Sequence, residues 1–131
     1  MNGLQHPHGV SALYQSGATL FVAGIAGPGQ GVYRSTDRGA SWSRVDSGQS
    51  TEAVVWGTQK NVYAMWSWAC ASCNLGPQFE SAPQPGTTWS PQPVPNELQI
   101  GPNGVVVTSD GTHNIFVALM WDQGLWRYIE P

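Results

Sequence analysis

The chain repeats itself, and a repeat constrains a fold more than any single motif does. Three segments fall into register when laid over one another: ATLFVAGI…GVYRS from position 18, KNVYAMWS…PQFES from position 60, and HNIFVALM…GLWRY from position 113. Phe21, Tyr63 and Phe116 form one column, at intervals of 42 and 53 residues. Tyr33, Phe79 and Trp126 form a second, at intervals of 46 and 47, with the scatter falling in loops. One further strand precedes each segment: SALYQ, AVVWG and VVVTS. A Trp-led strand follows the first two, at Trp42 and Trp89, again 47 apart. Each unit is therefore four short strands, with the third unit lacking its fourth.

Composition agrees with this reading. Gly (16) and Pro (10) punctuate the chain, and period-2 alternation or short apolar runs lie between them. Nothing sustains an apolar stripe at helical spacing over three turns, so the expected fold is all-β without helices. Four-stranded units of about 45 residues are a signature of β-propeller blades, and a β-sandwich of similar hairpins is the alternative. On the propeller reading the blades span about 8–47 and 51–93, with an incomplete third at about 100–130 and an open edge where its outer strand is missing.

Charged residues make up only 10% of the chain, five Lys and Arg against eight Asp and Glu. Five scattered cations cannot form the basic patch that phosphate neutralisation needs, which excludes nucleic acid and anionic membrane as partners. No apolar run approaches the ~18 residues of a membrane helix. Residues 1–10 carry neither the basic nor the apolar segment of a signal peptide.

After the third strand of the first unit stands Ser35-Thr36-Asp37-Arg38-Gly39-Ala40-Ser41-Trp42, an S-x-D-x-G-x-[ST]-W sequence. Asp37 can accept loop N–H bonds, Gly39 can take positive φ, and Trp42 can cover the turn. The segment resembles the Asp-box, or bacterial neuraminidase repeat, of Asp-box β-propellers. Gly86-Thr87-Thr88-Trp89 resembles a decayed second copy, with Ala82-Pro83-Gln84 and one inserted residue in place of the Ser/Asp half. The family includes sialidases, xyloglucan-type endoglucanases, sortilin-like receptors and photosystem assembly factors. The resemblance implies that Ser35, Asp37, Gly39, Ser41 and Trp42 lock a hairpin on the face away from the ligand, and that Asp37 is not a catalytic acid.

The same resemblance puts ligands on the opposite loops. Trp68 and Trp121 fall in one column there, and Trp66 lies two residues before Trp68 on the same strand face. Aromatic rings on a low-charge surface suit stacking on sugars, with Asn74 and Asp122 as hydrogen-bonding neighbours; packing between blades is the structural alternative for the tryptophans. Glu52, Glu97, His6 and His8 belong to segments at that end too. The longest insertion holds Cys70-Ala71-Ser72-Cys73. Such a pair can be a local disulfide, two thiols or half a zinc site. The three His are dispersed and no metal site is expected, whereas a disulfide would imply an extracellular or periplasmic setting.

Catalysis finds little support. A glycosidase generally needs two carboxylates flanking one bond, and Asp122 with Glu52 or Glu97 is the pair to inspect. Arg34, Arg38, Arg44 and Arg127 read as surface residues of the units, with Arg127 matched to Arg34, rather than as the arginine cluster that sialidases use. The expected function is a non-catalytic propeller module that binds carbohydrate and needs no cofactor. Its expected partner is a second copy or the rest of a longer propeller. The alternatives are the carboxy-terminal part of a glycoside hydrolase and a protein–protein scaffold.

Overall fold

The computed structural model describes residues 9–25, 31–46, 53–66, 78–98, 101–120 and 124–131. Among these residues no helix forms, and the strands lie where alternation between turn residues places them. β1 (Gly9–Ser16), β2 (Thr19–Ile25), β3 (Gly31–Ser35) and β4 (Ser43–Arg44) make one antiparallel sheet in chain order. β5 (Ala53–Gly57), β6 (Asn61–Trp66), β7 (Phe79–Pro83) and β8 (Ser90–Gln92) make the second. β9 (Pro102–Ser109), β10 (Asn114–Met120) and β11 (Gly124–Ile129) make the third, which has three strands. Each repeated unit is thus one meander, and each sheet pairs only neighbours in sequence.

Strand register revises the second column. Phe79 pairs with Met65 and Trp126 with Ala118, in each case two residues beyond the first column. The partner at that position in the first sheet is Val32, opposite Ala23, whereas Tyr33 pairs with Val22 and points to the other face. Val32, Phe79 and Trp126 are the true column, at a constant interval of 47. Aromatic identity favours Tyr33, but β pairing obeys side-chain parity, and a one-residue slip moves a residue across the sheet. The same shift matches Arg127 with Tyr33 and Glu80 rather than with Arg34.

The sheets stack in chain order, and the two seams differ. Phe21, Ala23 and Val32 of the first sheet pack on Val55, Val62 and Ala64 of the second. Those residues sit on opposite faces of their units, because Phe21 is equivalent to Tyr63 and not to Val62. The approach is close: a Cβ on Gly57 would lie 2.5 Å from the Tyr14 ring. On its other face the second sheet turns Trp56, Tyr63, Met65 and Phe79 toward Phe116 and Met120 of the third. Phe116 stands in the same column as Tyr63, so like face meets like face across this seam. The Tyr63 and Phe116 ring centroids are 4.7 Å apart, and Trp56, Phe79 and Tyr128 complete an aromatic cluster. Outside it the third sheet leaves Val106, Leu119, Leu125 and Ile129 exposed on one face, around Arg127.

Candidate functional site

The turn after β3 is closed by a small polar network. Ser35, only 1% exposed, donates its hydroxyl to Asp37 Oδ1 at 2.8 Å and accepts the Gly39 N–H at 2.8 Å. Asp37 Oδ1 also accepts the Ser41 N–H at 2.8 Å, and Oδ2 accepts the Ser41 hydroxyl. Trp42 Nε1 donates to the Gly39 carbonyl at 3.0 Å. Gly39 has φ 89°, a conformation that a side chain would strain. These bonds hold the Asp37 carboxyl at a pKa of about 2, with the Ser41 hydroxyl contributing most, then the Ser41 N–H and the Ser35 hydroxyl. Both carboxylate oxygens of Asp37 are engaged within its own turn.

The turn after β7 is built on the same frame with different chemistry. Ala82 stands 47 residues after Ser35, and both lie opposite the residue before the first column. Ala82 to Gly86 then spans as many residues as Ser35 to Gly39, so the expected insertion is absent and Gln84 occupies the place of Asp37. The indole clip survives: Trp89 Nε1 donates to the Gly86 carbonyl at 3.2 Å, with Gly86 at φ 74°. The carboxylate lock does not. Gly86 N–H bonds to the Pro83 carbonyl at 2.8 Å, and Gln84 turns outward. Its Nε2 donates to the Thr58 carbonyl at 2.9 Å and approaches the Tyr14 hydroxyl at 3.4 Å. From the first sheet, Arg34 Nε donates to the Pro85 carbonyl at 2.8 Å, so Arg34 joins two sheets rather than decorating one.

A third polar centre lies at the same end of the molecule, and the sequence reading missed it. Glu130 follows β11 and is only 2% exposed. Its Oε1 accepts from the Tyr63 hydroxyl at 2.7 Å, Thr58 Oγ1 at 2.9 Å and Asn61 Nδ2 at 2.9 Å. Its Oε2 accepts from Asn114 Nδ2. Burial pushes the Glu130 carboxyl up, but the hydrogen bonds from Asn114, Tyr63, Asn61 and Thr58 together hold it below the usual carboxylate range. The Tyr63 phenol is pushed well above its ordinary value by burial first and by its bond to Glu130 second. It therefore stays protonated and donating, and Glu130 clasps the second sheet to the third. A faint signal existed, since Asn61 and Asn114 both precede the first column by two residues.

These contacts align the sheets end to end. The β1–β2, β5–β6 and β9–β10 turns lie at one end with the turns that follow β3 and β7. The β2–β3, β6–β7 and β10–β11 connections start from the other. An open polar cleft of about 580 Å³ lies at the turn end, lined by Tyr14, Gln15, Ser16, Thr58, Lys60 and Asn114 among others. At the β9–β10 turn, Asp110 accepts the N–H groups of His113 and Thr112, which lower its pKa to about 2.

Of the residues expected to meet a ligand, Trp66 is the last residue of β6, at the far end. Trp68, Asn74, Trp121, Asp122 and Glu52 lie outside the described residues, as do His6, His8, Cys70 and Cys73. Glu97 is exposed in the segment after β8, apart from Asp37 and Glu130 in chain and element. Among the described residues, no three His, Cys, Asp or Glu converge to hold a metal. Comparison of the chain with family models, curated proteins and solved structures yields no match.

Proposed function

We propose that this chain is a non-catalytic segment of an Asp-box-type β-propeller that binds carbohydrate at the end opposite its box turns. The observation that carries the proposal is the alignment of ends. Bonds from Tyr14 to Thr58, from Arg34 to Pro85 and from Glu130 to Asn61 draw the turn ends of the three sheets together. The connections that carry Trp66, Trp68 and Trp121 therefore set out from one shared end. Trp66, Trp68 and Trp121, with Asn74 and Asp122 near them in sequence on a chain poor in charge, are of the residue types that suit the flat apolar faces and hydroxyl rims of sugars.

The closed Ser35–Trp42 network supports the structural role given to Asp37, Gly39 and Ser41. Asp37, Asp110 and Glu130 each spend their carboxylates on turns or on the seam, which disfavours a glycosidase reading for this chain. The first two sheets meet through opposite faces, as successive blades must, which supports the propeller reading. The like-face contact of the third sheet is not a step that such a ring repeats. The expected partner is a second copy or further blades, and a monodisperse monomer of 14.1 kDa would defeat pairing with a second copy.

A glycan array followed by tryptophan-fluorescence titration with soluble β-glucans and sialosides tests the function. Saturable binding should be lost in Trp66→Ala/Trp68→Ala/Trp121→Ala while the far-ultraviolet spectrum is kept. Failure to bind any glycan, or release of reducing sugar by the chain alone, sinks the proposal.

A further inference from the structure

The third sheet opens on an irregularity. Met120 pairs with Pro102 and Leu119 with Gly104, so one step on β10 spans two residues on β9, and Asn103 is the extra residue of a β-bulge. Asn103 is exposed, and its side chain makes no hydrogen bond to any described residue. A Cβ at Gly104, the next residue, would meet nothing within 4 Å, so the linkage between the two is uncrowded. The other described asparagines lack this combination. Asn61 and Asn114 both donate Nδ2 to Glu130, and they precede the β-branched Val62 and Ile115. Asn96 is exposed in a turn but precedes Glu97. At Asp110-Gly111 the Gly111 N–H is engaged by Ser109 Oγ at 3.0 Å, and Asp110 Oδ1 accepts the N–H groups of Thr112 and His113.

We propose that Asn103 is a site of spontaneous covalent modification, at which the side-chain amide is exchanged for a carboxylate through a cyclic imide. The main-chain nitrogen of Gly104 attacks Asn103 Cγ. The N–Cγ bond forms, the Cγ–Nδ2 bond breaks, and the proton of the Gly104 N–H leaves with the amide nitrogen as ammonia. Water then opens the ring at either of its carbonyls. Opening at Cγ leaves an ordinary aspartyl residue, whereas opening at the main-chain carbonyl leaves a β-aspartyl residue that routes the backbone through the side chain. The reaction is an intramolecular acyl transfer, so its rate depends on how readily the nitrogen reaches the carboxamide. A regular strand holds successive peptides extended and apart. A bulge frees one residue from the ladder, and a glycine without Cβ turns most easily toward its neighbour. Either product adds a negative charge beside Pro102, which is fully buried, and the β-linkage also lengthens the backbone of β9. The chain thus carries a slow mark of its age at the foot of its third sheet, independent of the carbohydrate reading.

Peptide mapping by mass spectrometry tests this on the whole folded chain, incubated in mildly alkaline buffer at physiological temperature. Mapping also separates Asn103 from Asn2, which precedes Gly3 and lies outside the described residues. Conversion at Asn103 should run about tenfold faster than at Asn96. It should yield both linkages, the β-aspartyl form being read by transfer of a labelled methyl group with an isoaspartyl methyltransferase. Gly104→Val, whose side chain enters open space, should slow conversion at Asn103 by about tenfold. A rate at Asn103 no greater than at Asn96 overturns the proposal. So does an ordinary aspartyl product alone, which marks direct hydrolysis of the amide, and so does an undiminished rate in folded Gly104→Val. The first two readings are taken in the unaltered chain and stand even where the variant fails to fold.

Discussion

Two seams join three copies of one strand pattern, yet they are built on different principles. The first is thin and close: Ala23, Ala64 and Gly57 let the sheets approach, and polar clips from Arg34 and Tyr14 pin its edge. The second is thick and aromatic: Trp56, Tyr63, Phe79, Phe116 and Tyr128 stack or meet edge to face, and a buried carboxylate fastens it. Small residues tolerate little addition, while large rings tolerate little removal. A repeat in sequence therefore does not compel a repeat in packing. Side-chain volume on each face decides which faces meet.

The contrast can be broken most forcefully at Phe116. Phe116→Ala should cost about 3–5 kcal/mol, against ~2 kcal/mol for Val55→Ala in the first seam, read by chemical denaturation. Equal costs for the two would erase the distinction between the seams. Gly57→Ala tests the opposite property, since the added methyl collides with Tyr14. It should destabilise by about 1–3 kcal/mol, and Tyr14→Ala in the same chain should recover part of that loss. Purely additive effects would mean that the sheets do not touch there.

Glu130→Gln leaves the shape of the clasp but removes its charge, at a cost of about 1–3 kcal/mol. It should also blunt the acid limb of stability. The folded-state pKa of Glu130 lies below its unfolded value of about 4.3, so its contribution is present above that value and lost as pH falls through the folded one. An unaltered acid limb would show that the carboxylate is not the group being protonated. The smallest effects compare the two turns. Trp42→Phe and Trp89→Phe should cost the same, about 0.5–1.5 kcal/mol each, because the indole clip is common to both. Asp37→Asn should remove a pH dependence between about 4 and about 2, whereas Gln84→Glu should leave that window unchanged. Thermal unfolding across pH reads all four variants.

Much of this architecture is legible in the chain. Short apolar runs bounded by Gly, Pro, Asn and Ser place the strands, because turn residues and alternation are local properties. The Ser35–Trp42 network is legible for the same reason, since every bond in it spans six residues or fewer. Three errors share one cause. Residue likeness puts Tyr33 in the column of Val32, matches Arg127 to Arg34 and sets an insertion before Gly86, whereas strand pairing follows side-chain parity. The Glu130 clasp is faint in the sequence for a different reason: apart from the matched Asn61 and Asn114, nothing marks it, because its partners Thr58, Asn61 and Tyr63 lie 67 to 72 residues away. A carboxylate next to the last residue carries no sign of them.

What the chain determined alone was the unit: four strands or three, a 47-residue step from Trp42 to Trp89, and a tryptophan that covers its turn. These follow from contacts among neighbours, whose geometry each residue type sets for itself. The tertiary structure decided how the units meet. It set opposite faces together at one seam and like faces at the other, and buried Glu130 among four donors. Each outcome depends on the volume and polarity of a surface brought from elsewhere in the chain, and no local pattern encodes which surface arrives.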